Sequence, residues 1–195
     1  MRSRSLSGHA EGASCVELSP NQKSLYSGGL DKTVRVWDLA AGKERAKFEH
    51  NSQVFSLSVS SDETHLVTGS DYYLFFFFSF FFLSFFSFLF SCSTMNRRLE
   101  SSDIELINLA EPTHPRQTLH RHVNCVLSVK FAPSKKWFVS TGKDGLLAGW
   151  RNPTCTSLFE ERETSSILCA EVSGCGGYII TGSGDQRAAL YSVTM

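Results

Sequence analysis

The chain has 195 residues, with 19 basic and 19 acidic side chains and no formal net charge. That length suits one domain, and the charge balance, without a long basic run, does not indicate nucleic-acid binding driven by charge. The six cysteines, at 15, 92, 125, 155, 169 and 175, form no Cys-x-x-Cys pair. They fit neither a zinc site nor a disulfide framework, so free core thiols in a reducing compartment are expected. The first residues, 1–5, lead into no apolar signal core, and no glycosylation sequon occurs; cytosol or nucleus is the default expectation.

In chain order, residues 15–18 alternate apolar and polar, a polar turn with Pro20 follows, and residues 24–26 form a second apolar run. Period two predicts two strands. Ser27-Gly28-Gly29-Leu30-Asp31 is then a tight turn into a third strand, with Trp37 six residues past the aspartate. His9 stands 28 residues before Trp37, where its imidazole suits a network with Ser27, Asp31 and the indole.

A second unit opens at 55–59 and 65–67, followed by Thr68-Gly69, but its third strand, 103–109, arrives roughly 29 residues late. The surplus holds an apolar run from Tyr72 to Phe90 with eleven of the sixteen phenylalanines. Such a run is long enough for a bilayer. However, a membrane crossing would separate two halves of one sheet, so no membrane span is expected. Residues 74–91 use only Phe, Ser and Leu, the residue types encoded by thymine-rich pyrimidine codons. The run therefore reads as a translated polypyrimidine tract, an intron remnant or gene-model error. As it stands it is uncharged, free of proline and an aggregation hazard.

The third unit opens at 127–131 and 137–139, with Ser140-Thr141-Gly142-Lys143-Asp144 and Trp150 six residues on. A fourth opens at 168–172 and 178–180, with Thr181-Gly182-Ser183-Gly184-Asp185 and Tyr191. Asp144 and Asp185 are 41 residues apart, a spacing that belongs to propeller blades of four short strands. The expected fold is all-β: a partial propeller of about four blades interrupted by a Phe-rich insert. The expected organisation is 1–70 (first blade complete, second begun), 71–98 (insert) and 99–195 (the end of the second blade, then the third and fourth). A single blade cannot bury its apolar face alone, so an open run of four predicts a chain that is poorly soluble or partly unfolded.

No catalytic constellation is present. Gly174-Cys175-Gly176-Gly177 reads as a turn between strands, not a phosphate cradle. His114, His120 and His122, near Pro112 and Pro115, read as a solvated loop, not a metal site. No enzyme activity, metal or cofactor is expected. The position four residues before Leu18, Val59, Phe131 and Val172 is Ser14, Phe55, Leu127 and Leu168. At the top rim of a propeller, three large apolar side chains near the axis mark a binding surface, so Phe55, Leu127 and Leu168 are the candidate peptide-binding residues.

The repeats strongly resemble WD40 repeats, and this resemblance implies that His9, Ser27, Asp31 and Trp37 form a buried structural tetrad. Longer strings are more specific: residues 11–15, 28–35, 52–57, 100–105, 125–131, 136–144 and 178–185 resemble the C-terminal WD40 domain of the Groucho / transducin-like enhancer of split corepressors. The resemblance implies a nuclear transcriptional corepressor fragment without DNA binding of its own. Its partners would be DNA-bound repressors carrying short WRPW-type or eh1-type peptides that bind over the central pore. It further implies a role in repression that includes negative regulation of Wnt signalling. It also implies a family propeller of seven blades, of which the last four are present here, with the N-terminal oligomerisation region absent. Phe55, Leu127 and Leu168 match apolar pocket positions of that family. The competing expectations are a generic WD40 interaction scaffold and a non-functional truncated product.

Overall fold

The computed structural model describes residues 5–71, 102–111, 113 and 115–194. Residues 72–98 of the expected insert, with Pro112 and His114, lie outside them. Fifteen strands and no helix occur among the described residues, and the all-β partial propeller expected from the repeats is the fold observed.

The strands form four antiparallel meanders. The first sheet runs β1 (Ala13–Leu18), β2 (Ser24–Gly29), β3 (Thr33–Asp38), β4 (Lys43–Glu49). The second runs β5 (Gln53–Val59), β6 (His65–Asp71), β7 (Ser102–Asn108), β8 (Gln117–His122). The third runs β9 (Val126–Phe131), β10 (Trp137–Gly142), β11 (Leu146–Arg151), β12 (Ser157–Arg162). The fourth has β13 (Ile167–Val172), β14 (Tyr178–Ser183) and β15 (Ala188–Ser192). The first strands β1, β5, β9 and β13 lie beside one another, as expected for sheets fanned about an axis. The fourth strands β4, β8 and β12 are mostly exposed.

The apolar core lies between sheets. Tyr26, Val34, Val36 and Phe48 of the first sheet meet Val54, Leu57, Val59, Leu66 and Ile107 of the second. Val67, Ile104 and Leu106 meet Val126, Val129 and Phe138 of the third. Trp137, Val139 and Leu147 meet Ile167, Val172 and Ile179 of the fourth. Each sheet thus has a front that fits the rear of the next, which is why no single repeat is stable alone.

Two sequence expectations are corrected. His120 and His122 belong to strand β8, not to a solvated loop, and His122 is fully buried. The thiols of Cys15, Cys125 and Cys155 are at least partly buried, but Cys169 and Cys175 are exposed. None of the described cysteines is in a disulfide.

Candidate binding site at the inner-strand bulges

The polar networks that fix the turns come first. His9 Nδ1 is 3.0 Å from Asp31 Oδ1, His9 Nε2 is 2.7 Å from Ser27 Oγ, and the Trp37 indole donates to Ser27 Oγ at 2.8 Å. An indole N–H can only donate. Ser27 therefore accepts from Trp37 and has one hydrogen left for His9 Nε2, which leaves the Nδ1 proton for Asp31. Asp31 also accepts from the Ala10 amide at 2.9 Å and the Thr33 hydroxyl at 2.7 Å. Burial pushes the Asp31 carboxyl up, but these donors and His9 outweigh it and hold its pKa at about 2.

The same network recurs in the third sheet, where sequence reading missed it. His122 Nδ1 is 3.0 Å from Asp144 Oδ1, His122 Nε2 is 2.8 Å from Ser140 Oγ, and Trp150 Nε1 donates to Ser140 at 2.9 Å. The separations of 22, 18 and 10 residues match the first network. That spacing was the available signal.

In the fourth sheet Glu163 stands at the imidazole position. A carboxylate only accepts, so both neighbours turn their hydroxyls inward: Thr181 donates at 2.6 Å and Tyr191 at 2.8 Å. Burial, then the Glu163 carboxylate, pushes the Tyr191 phenol up to about 12. In the second sheet Ile107 pairs with Leu66 where Trp37 pairs with Leu25. The isoleucine side chain has no N–H to give, and among the described residues Thr68 Oγ1 and His50 Nε2 are buried without a hydrogen-bond partner. His50 Nδ1 is instead 3.2 Å from Glu105, which also holds Arg116 at 3.0 Å.

These turns frame one end of the inner strands, and there each inner strand carries a β-bulge. The ladder skips from Ala13 to Cys15, from Val54 to Ser56, from Val126 to Ser128 and from Ile167 to Cys169. The residues left over are Ser14, Phe55, Leu127 and Leu168, the four rim positions. A bulge leaves one residue out of the ladder and re-aims its side chain. Leu168 is 54 % exposed, while Phe55 and Leu127 are partly exposed. Ser14 is tied down, its single hydroxyl hydrogen within reach of the carbonyls of Gly28 (3.0 Å) and Val54.

Further along the inner strands, Glu17, Ser58, Lys130 and Glu171 occupy one register position. Glu17 accepts from the Val59 amide at 3.2 Å, and Lys130 Nζ lies 4.0 Å from Glu17 and 3.5 Å from Glu171. Burial raises the Glu17 pKa. An apolar rim therefore stands above a layer of paired charge. Among the described residues no group of three or more His, Cys, Asp or Glu is placed to hold a metal ion.

Meandering four-stranded sheets with a Trp–Ser–His–Asp network in the turn define a WD-repeat propeller. The model of that family, described as "WD domain, G-beta repeat", matches residues 2–38, 42–77 and 113–151, and the chain belongs to it. Along 97 % of its length the chain is also 38 % identical to "Protein groucho" of Drosophila melanogaster and 37 % identical to "Transducin-like enhancer protein 2" of Mus musculus. It covers 22 % and 21 % of those proteins. The chain is thus similar to a Groucho/TLE WD40 segment and spans about a fifth of the relatives it matches.

Proposed function

We propose that this chain is the peptide-capturing part of a transcriptional corepressor. Phe55, Leu127 and Leu168 receive the aromatic or amphipathic side chains of short repressor peptides of WRPW or eh1 type. The partners are repressors already bound to DNA, the site of action is the nucleus, and the role includes negative regulation of Wnt signalling. The domain binds rather than catalyses. His9, Ser27, Asp31 and Trp37 are structural, fixing the turns that border the rim.

The observation that carries the reading is the repeated bulge. Three successive inner strands each free one large apolar residue at the same register and leave it partly or largely exposed. The similarity to groucho and a transducin-like enhancer protein supports the partner class.

The test is fluorescence anisotropy with labelled WRPW and eh1 peptides. Truncating one buried anchor costs about 2–4 kcal/mol, roughly 30- to 700-fold in Kd. Leu127→Asp and Leu168→Asp are each expected to weaken binding by at least the lower figure, with the circular dichroism spectrum unchanged. Equal affinity of variant and parent, or equal affinity for a scrambled peptide, refutes the reading.

A further inference from the structure

The turn after each second strand sets one residue against the inner-strand end that leads into a bulge. The Leu30 amide donates to the Gly12 carbonyl, the Lys143 amide to the Cys125 carbonyl and the Gly184 amide to the Ser166 carbonyl, each at 2.9 Å. In the second sheet Asp71 pairs with Gln53. Leu30, Asp71, Lys143 and Gly184 therefore hold one register position. Two of them are charged, and their signs are opposite.

These two charges act across the strand that carries Leu127. Cys125 lies two residues before Leu127. Burial first, then the Asp71 carboxylate, pushes its thiol up, while the Lys143 ammonium draws it down. Lys143 is also tied to the fourth sheet, because the Ser166 hydroxyl donates to its carbonyl at 3.0 Å, and Ser166 lies two residues before Leu168. The Lys143 backbone is thus fixed between two rim residues, and the residue is exposed. Both charges belong to the second and third sheets, each of which has a described sheet on either side.

The acids of the neighbouring turns are engaged elsewhere. Asp144 faces His122 Nδ1 and accepts from the Val123 amide, both at 3.0 Å. Glu163 accepts from Thr181 and Tyr191. Asp185 accepts from the Ser183 hydroxyl at 2.6 Å and pairs with Arg187 at 3.6 Å. Among the described residues no ion pair joins Lys143 to an acid. A lysine lays its methylene stem along apolar surface and keeps its ammonium in water. Here that leaves an unmatched positive charge at the edge of an apolar rim.

We propose that Lys143 receives the terminal carboxylate of a peptide that ends on its aromatic anchor, the anchor itself resting on Leu127 and Leu168. The inference rests on the rim being a peptide site. A carboxylate is attracted on the Lys143 side of Leu127 and repelled on the Asp71 side. A peptide that continues past its anchor has no such group to offer, so Lys143 selects peptides by where they end.

Fluorescence anisotropy on the whole chain tests this with two WRPW peptides, one ending in the free acid and one in the amide. An exposed ion pair is worth about 2- to 5-fold in Kd, so the amide should bind the parent more weakly by that factor. The difference should shrink as salt is raised. Lys143→Met keeps an unbranched stem without the charge and should bind acid and amide alike, whereas Lys143→Arg should keep the preference for the acid. Equal affinity of the parent for the two peptides, or an amide penalty that survives in Lys143→Met, overturns this inference alone. Binding of neither peptide by the parent overturns the reading of the rim as well.

Discussion

Two hydroxyls at one register position should behave in opposite ways. Ser140 and Thr68 occupy the same place in the third and second sheets, and both are buried. Ser140 Oγ accepts from Trp150 and binds His122 Nε2. Ser140→Ala leaves a buried indole N–H and a buried imidazole nitrogen unpaired. Each orphaned group costs about 1–3 kcal/mol, so the variant is expected to lose about 2–6 kcal/mol. Thr68 Oγ1 has no partner to orphan among the described residues. Thr68→Val keeps the shape and removes an unsatisfied hydroxyl, so its stability should change by less than about 1 kcal/mol or rise. The assay is urea unfolding followed by tryptophan fluorescence, comparing midpoints at equal m-values. Equal losses in the two variants, or a neutral Ser140→Ala, would refute the reasoning that these networks differ in satisfaction.

Other outcomes follow from the same structure. Gly145 has φ of +72°, and a Cβ there would lie 2.7 Å from the Glu163 carbonyl oxygen; Gly145→Ala should cost about 2 kcal/mol or more in urea titration. Lys32 holds the equivalent turn position at φ of 60° without glycine, so Lys32→Gly should be neutral within about 1 kcal/mol. Native maleimide labelling, mapped by peptide mass, should mark exposed Cys169 and Cys175 first and leave Cys15 and Cys125, whose thiols burial pushes up to about 11 and 12, unreacted longest. The folded Asp31 pKa of about 2 lies below its ordinary value of 3.8, so its contribution is complete above about pH 4 and is lost as pH falls toward 2. Stability measured from pH 5 to pH 2.5 should therefore fall less steeply in Asp31→Asn than in the parent.

The sheets were legible because inner and second strands alternate strongly, as in residues 127–131, and because the Gly–Asp turns recur with an aromatic six residues on. Strand β8 was not legible. Its sequence, Gln-Thr-Leu-His-Arg-His, holds one apolar residue because an outer strand is largely solvated, so His120 and His122 look like loop residues beside two prolines. The rim positions could be picked by alignment, but the bulges that free them leave no mark in composition; they are a property of pairing register. The Glu163 network was hidden for another reason. Replacing an imidazole by a carboxylate reverses the donors, and Thr181 with Tyr191 then looks unlike Ser with Trp.

The most direct test of peptide capture at the rim is photo-crosslinking. An eh1 or WRPW peptide carrying a benzophenone at its aromatic position would be irradiated on the chain and the adducts mapped by mass spectrometry. The account predicts adducts at Phe55, Leu127, Leu168 and the residues beside them, suppressed by unlabelled peptide. Adducts confined to the outer strands β4, β8 and β12, or insensitive to that competition, would contradict it.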